Sequence, residues 1–256
     1  GIAGLSPTIN ILSKTKKILI ANKESIICGW NLIKQKAKRS KTEIVPVDSE
    51  HYSIRELIKN NKIENIEKIY LTASGGPFLN LKISKFKKIR PKDALTHPKW
   101  KMGKKITIDS STLMNKIFEL IEAHKLFNIP LSKIDILIHP NSLVHAIVKF
   151  KNGLTKILIH DTDMKVPIFN SLFFNESKIA VSDKLSLTKL NNLKLKFISE
   201  KQFPSLKVIK NFYSCHNTLL ETALVSINDE LVELFLNNKI SFLDISKKLV
   251  SIMKLN

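Results

Sequence analysis

The sequence predicts an α/β chain that ends in an all-helical segment, and three observations carry that expectation. Residues 1–47 alternate helical and strand patterns, as a parallel sheet with crossover helices requires. Between residues 69 and 159 lie several short apolar runs of strand length, bounded by turn residues. Residues 205–256 carry helical periodicity in three pieces and no strand signal.

Taken in order, Pro7 to Lys14 reads as a short helix and Ile18 to Ala21 as a buried strand. Glu24 to Arg39 follows as a helix and Glu43 to Val47 as a second strand. No glycine-rich phosphate turn occurs in this part, so the first half of a dinucleotide fold, where there is one, lies upstream of Gly1. The strand at Val47 ends in a polar burst, Asp48-Ser49-Glu50-His51. Asp48 and Glu50 are two apart and share a face in extended chain, where a cation between them relieves their repulsion. The same residues also suit the cap of a helix over Tyr52–Lys59, and the spacing leaves both readings open.

Ile69 to Thr72 forms a strand that runs into Ala73-Ser74-Gly75-Gly76-Pro77-Phe78. A hydroxyl and two glycines at a strand end suit a phosphate cradle, and equally a plain tight turn. In the stretch from His97 to Glu122, HPKWKMGKK is a loop and Ile106-Thr107-Ile108 alternates as a short strand. Ser110 or Ser111 then stands at a helix N-cap position. Leu113, Ile117, Leu120 and Ile121 give that helix its apolar stripe, and Asn115, Glu119 and Glu122 a second, polar one. Strands follow at Ile134–Ile138, Val144–Phe150 and Thr155–Ile159, the last two joined by a Lys151-Asn152-Gly153 turn. Asp163 caps a helix through Leu172, and 174–204 reads as an irregular linker.

The formal charge of +20 raises the question of a nucleic-acid partner. The cations argue against one: they are lysines apart from Arg39, Arg55 and Arg90, they are spread along the chain, and no aromatics interleave with them. Abundant Lys, Ile and Asn fit the codon bias of an AT-rich genome. No apolar run is long enough to span a membrane. Two cysteines, Cys28 and Cys215, make no disulfide framework and suit a reducing compartment. The chain opens on Gly rather than Met, which leads us to expect a piece of a longer protein.

The strings GIAGLSPT, ANKES, PVDSEH, LTASGGPF, HPKWKMGKKITIDSSTLMNK, IHPNSLVHAIV and DMKVPI run in order from Gly1 to Ile168. Together they resemble the 1-deoxy-D-xylulose 5-phosphate reductoisomerase family of the non-mevalonate isoprenoid pathway. The likeness thins after residue 174 to spaced leucines and the FPSL at Phe203–Leu206. The resemblance implies the C-terminal part of a Rossmann-like NADPH domain over 1–47 and a catalytic α+β domain with a small mixed sheet over 48–173. It further implies a linker over 174–204 and a partial helical domain over 205–256.

The implied activity is metal-assisted retro-aldol and aldol rearrangement of 1-deoxy-D-xylulose 5-phosphate, then reduction by NADPH to 2-C-methyl-D-erythritol 4-phosphate. By resemblance, Asp48, Glu50 and Glu119 hold Mg²⁺ or Mn²⁺, as hard oxygen ligands do. Ser74, Ser110, Asn115 and Lys116 anchor the phosphate, Ser49 meets the hydroxyl end of the substrate, and Lys23 bridges substrate and cofactor. His97, Trp100 and Met102 close over the substrate, Asn22, Glu24, Gly103 and Met164 meet NADPH, and Glu122 and His145 support the site. A homodimer in the bacterial cytoplasm, with a plastid-type organelle as the alternative, belongs to the same implication.

The sequence departs from the family pattern at Asn141, where Gln is usual, and at His160-Asp161-Thr162, where Gly-x-Pro is usual. Val225-Ser226-Ile227-Asn228-Asp229 stands in place of an NAANE string. Two other readings are a non-catalytic remnant that binds metal and sugar phosphate, and a Lys-rich nucleic-acid binder.

Overall fold

The computed structural model describes residues 1–96, 103–173, 186–212 and 218–254. Helix α1 (Leu5–Ile11) leads to strand β1 (Lys17–Ile20), helix α2 (Lys23–Ser40) and strand β2 (Glu43–Pro46). β1 and β2 pair in parallel, with Lys17 opposite Glu43 and Ile20 opposite Pro46. Asn22 caps α2 by accepting from the Ser25 amide at 2.8 Å, and Lys41 ends it in the left-handed region at φ 55°. Leu12, Ile20, Ile26 and Ile33 form the core of this unit.

Helix α3 (Ser49–Ile58) starts earlier than the sequence suggests, because Asp48 is its N-cap and accepts from the Ser49 amide at 3.1 Å. Asp48 therefore caps the helix and Glu50 sits in its first turn, and the two do not share the extended chain expected from their spacing. Strand β3 (Ile66–Ala73) is followed by a short helix α4 (Pro91–Ala94), then α5 (Lys104–Thr112) and α6 (Met114–Phe127). Strands β4 (Ile134–Ile138), β5 (Val144–Phe150) and β6 (Thr155–Ile159) precede helices α7 (Lys165–Leu172) and α8 (Leu187–Asn191) and the two-residue strand β7 (Lys196–Phe197). The sheet runs β6-β5-β3-β4-β7; β3 and β4 are parallel and every other pair is antiparallel. Asp163 accepts from the Lys165 amide at 2.9 Å, although the helix cap itself falls at Met164.

The strand expected at Ile106–Ile108 is helix. Ile108 is fully buried in the core while Ile106 lines a cavity on the other side of α5, so both faces are lined and the alternation mimics a strand. An i,i+4 ion pair of Lys105 with Asp109 at 2.7 Å adds local helical support. The Thr107 and Thr112 hydroxyls are satisfied within the helix, donating back to the carbonyls of Gly103 and Ile108. The serines are not N-caps either. They lie in the last turn of α5, Leu113 breaks the helix at φ 63°, and α6 begins one residue later. The apolar stripe Leu113, Ile117, Leu120 and Ile121 is buried, as its spacing predicts.

Past a 3₁₀ segment at Pro204–Phe212 come helices α9 (Thr218–Leu236) and α10 (Phe242–Ile252), with Ser241 and Asp244 forming a capping box for α10. Phe242 lies 5.1 Å from Phe78, 5.8 Å from Phe86 and 5.6 Å from Phe235 between ring centroids. Phe78 follows the Ser74-Gly75-Gly76-Pro77 turn directly, so the C-terminal helices buttress that turn. No helix among the described residues is long and apolar enough to cross a membrane.

Phe242→Ala is expected to cost about 3–5 kcal/mol of folding stability, because it empties the centre of this aromatic cluster. A urea-unfolding difference below about 1 kcal/mol would contradict that packing role.

Candidate active site

A cavity of about 280 Å³ opens where the N-terminal ends of α2, α3 and α6 meet the C-terminal end of β3. Lys23 is the first residue of α2, Asp48 to Glu50 start α3, and Asn115 and Lys116 lie in the first turn of α6. Three helix N-termini directed at one space make it favourable to negative charge.

Asp48, Glu50 and Glu119 converge there, each offering an oxygen within 4.8 Å of the others'. Two lysines are threaded between them. Lys23 Nζ lies 2.8 Å from Asp48 Oδ2 and 3.7 Å from Glu119 Oε1, and donates to Asn115 Oδ1 at 2.9 Å. Lys116 Nζ lies 2.5 Å from Glu50 Oε1 and 2.6 Å from Glu119 Oε2. The Asn115 amide donates to Glu119, and Ser49 Oγ donates to Glu50 Oε2 at 2.6 Å.

The charges do not balance, since three carboxylates face two ammonium groups. Burial, and then the neighbouring Glu50, push the Glu119 carboxyl up to about 8 against the pull of Lys116 and Lys23. Burial also opposes ionisation of Glu50, yet Lys116 outweighs it and holds this carboxyl well below the usual range. Lys116 itself is raised to about 12: burial lowers it, and Glu119 and Glu50 more than reverse that. Lys23 is raised in the same way by Asp48 and Glu119.

Behind these groups His51 and Glu122 are fully buried. His51 Nε2 lies 2.8 Å from the Glu119 carbonyl, which can only accept, so Nε2 carries a proton. Its Nδ1 lies 3.3 Å from Glu122 Oε2 and 3.9 Å from Asp48 Oδ2. Burial pushes the Glu122 carboxyl up to about 8, with Asp48 and Glu119 adding to it against His51. One imidazole thus ties the start of α3 to the middle of α6, the two elements that carry the three carboxylates.

The far side of the cavity is the Ser74 turn packed on the end of α5. Gly75 and Gly76 adopt φ 85° and 65°, and a Cβ on Gly76 would stand 3.0 Å from the Ser111 Cα. Ser110 lines the cavity, whereas the Ser111 hydroxyl donates to the Ile108 carbonyl at 2.8 Å; this separates the two serines, which the sequence could not do. His145 and Met164 complete the wall.

Asn22, Glu24 and Gly103 line a neighbouring cavity of about 410 Å³ that shares Ala21, Lys23, Ile106 and Asn115 with the first. Met164 lies on the main cavity and apart from those three. His97, Trp100, Met102 and Cys215 lie outside the described residues. His51, Thr72 and Ser142 were given no role from sequence. His51 had a usable signal, its i,i+3 spacing from Asp48, whereas Thr72 and Ser142 reach the wall only through the pairing of β3 with its neighbours.

Comparison with known proteins gives a consistent result. The family model 1-deoxy-D-xylulose 5-phosphate reductoisomerase matches residues 1–29, its C-terminal domain matches 44–127, and the DXP reductoisomerase C-terminal domain matches 159–256. A 1-deoxy-D-xylulose 5-phosphate reductoisomerase of Pelagibacter ubique is 59% identical over 252 residues, covering 98% of this chain and 65% of the relative. One from a Wolbachia of Drosophila simulans is 42% identical over 256 residues, covering 99% of this chain and 66% of the relative. Among solved structures, the Zymomonas mobilis reductoisomerase in complex with NADPH superposes with a TM-score of 0.89 at 33% identity, covering 100% of this chain and 66% of that one. A reductoisomerase complex with NADPH, fosmidomycin and magnesium gives 0.88 at 35% identity, covering 99% and 64%. The chain thus spans just under two thirds of the length of its first relatives, and it belongs to the 1-deoxy-D-xylulose 5-phosphate reductoisomerase family.

A pH dependence follows from Glu122. Its carboxyl ionises near 4.5 in the unfolded chain and near 8 when buried, so its stabilising contribution is full below about pH 4.5 and is lost as pH rises through about 8. Glu122→Gln copies the protonated form and does not titrate. In metal-free protein the melting temperature of Glu122→Gln relative to wild type is expected to rise between pH 5 and pH 8.5. A flat or falling difference would contradict the raised carboxyl.

Proposed function

We propose that this chain carries the metal- and substrate-binding machinery for converting 1-deoxy-D-xylulose 5-phosphate to 2-C-methyl-D-erythritol 4-phosphate with NADPH. The observation that supports it most directly is the set of three converging carboxylates, Asp48, Glu50 and Glu119, at the mouths of three helices. The donor set is all hard oxygen, and its three carboxylates face two lysine ammonium groups. Both features fit Mg²⁺ or Mn²⁺. When bound, such an ion supplies Lewis-acid polarisation of substrate oxygens, and NADPH supplies the hydride.

The chain's own groups do the rest. Asp48, Glu50 and Glu119 would hold the ion, and Lys116, which lies between Glu50 and Glu119, would serve with Ser74, Ser110 and Asn115 to hold the phosphate dianion. Ser49, held beside Glu50 at the start of α3, meets the hydroxyl end of the sugar. Lys23 stands at the junction of the two cavities, where it balances charge between substrate and cofactor. Asn22, Glu24 and Gly103 line the cofactor side, and Met164 would meet NADPH from the wall of the main cavity. His51 and Glu122 hold the ligand carboxylates in place from behind. The working unit in this reading is a homodimer in the bacterial cytoplasm, with residues 1–47 belonging to the cofactor domain and 48–173 to the catalytic one.

Mg²⁺ at about 100 times its Kd is expected to add about 2.7 kcal/mol of stability by mass action. Glu119→Gln is expected to cut that gain to about 1.4 kcal/mol or less and to weaken Mn²⁺ binding, followed by electron paramagnetic resonance, about tenfold or more. Mn²⁺ affinity unchanged in Glu119→Gln would sink the ligand assignment. In the full-length protein, Mn²⁺ binding with no NADPH oxidation when sugar phosphate and cofactor are supplied would identify a binding protein instead.

A further inference from the structure

His145 lines the cavity and His160 lies face to face with it, with ring centroids 3.7 Å apart and planes 12° apart. We propose that His160 is a positioning residue, which holds the His145 ring so that Nδ1 accepts a hydrogen bond from a hydroxyl of the bound sugar phosphate. The identity of that hydroxyl donor rests on the function proposed above; the positioning does not.

The backbone sets up the pair. β5 and β6 are antiparallel, with Val144 opposite Ile159, and the register shifts between Val144 and Ala146. His145 is thus the bulged residue, and a bulge re-aims one side chain beside a site. His145 is 2% exposed and lines the cavity. Its Nε2 lies 3.2 Å from the His160 carbonyl, which only accepts, so Nε2 carries the proton and Nδ1 is bare. No described residue donates to Nδ1 within hydrogen-bonding distance, which leaves it as the ring's polar atom for the cavity.

That single bond sets the tautomer but, at the long end for N–H···O, holds the plane of the imidazole only weakly, and a ring that turns loses the bond and the tautomer with it. The stacked His160 ring fixes the plane. It is itself fixed, since its Nδ1 donates to the Asp161 carbonyl at 2.7 Å and Tyr52 packs against it edge-on, 6.2 Å between centroids. Burial, with His160 as the next cause, holds His145 down at about 4, and burial lowers His160 as well, so the two rings stack as neutral groups.

The test removes the His160 ring and keeps the backbone carbonyl. Long-range ¹H–¹⁵N spectra report which nitrogen of His145 is protonated, and calorimetry with Mg²⁺ and 1-deoxy-D-xylulose 5-phosphate reports binding. In wild type His145 is expected as the Nε2–H tautomer. In His160→Ala the nitrogen shifts are expected to move toward a mixture of tautomers, and Kd for the sugar phosphate to rise about tenfold with circular dichroism unchanged. His160→Phe restores a flat ring and is expected to rescue both. Unchanged His145 shifts in His160→Ala overturn the proposal, and so does a folded His160→Phe that fails to rescue. A wild-type protein that binds no sugar phosphate counts against the proposed function, while the nitrogen spectra still decide the role of His160.

Discussion

Three carboxylates share a buried space with two lysines, and much of the architecture follows from that arrangement. Isolated charges of this kind are costly to bury, and removing one partner leaves the others exposed to the full penalty. The fold meets the cost by aiming the positive ends of α2, α3 and α6 at the same space and by bringing Lys23 and Lys116 in among the acids. Even so three acids face two lysines, which leaves the cluster suited to a divalent cation.

The scaffold holds these helix ends together from several directions. His51 spans from α3 to the Glu119 carbonyl, and Lys125 pairs with Glu221 at 2.5 Å to lock α6 against α9. Lys105 reaches Glu24, Asp109 and Asp229, joining α2, α5 and α9 beside the second cavity. The aromatic cluster around Phe242 supports the Ser74 turn from beneath, and the close backbone contact at Gly76 fixes that turn against the end of α5. Groups that bind from opposite sides of the cavity are therefore held by one continuous core.

Much of this could be read in the chain itself. Strands β1 to β6 and helices α2 and α6 come from residue types and short-range spacing, which local sterics and burial on one face determine, whereas Glu119 joins Asp48 and Glu50 only through the family resemblance. The reading fails where both faces of an element are covered. Ile106 and Ile108 alternate like a strand, yet one faces the cavity and the other the core, and helix α5 serves both. Leu113 carries no glycine or asparagine to announce a left-handed residue; its buried side chain in the tertiary core keeps it there.

By itself, then, the sequence determined that Asp48, Glu50 and Glu119 are candidate ligands, that serines and lysines accompany them, and that the strings around them resemble one enzyme family. Tertiary structure alone decided that Asp48 and Glu50 meet Glu119 from a helical turn, that Lys116 sits between two of the acids, and that His160 lies on His145. The physical reason is range. Spacing along the chain fixes only which side chains share a face of one element. Which charges face one another in a low-dielectric cavity depends on how distant elements pack, and there each carboxylate's protonation is set by its neighbours in space.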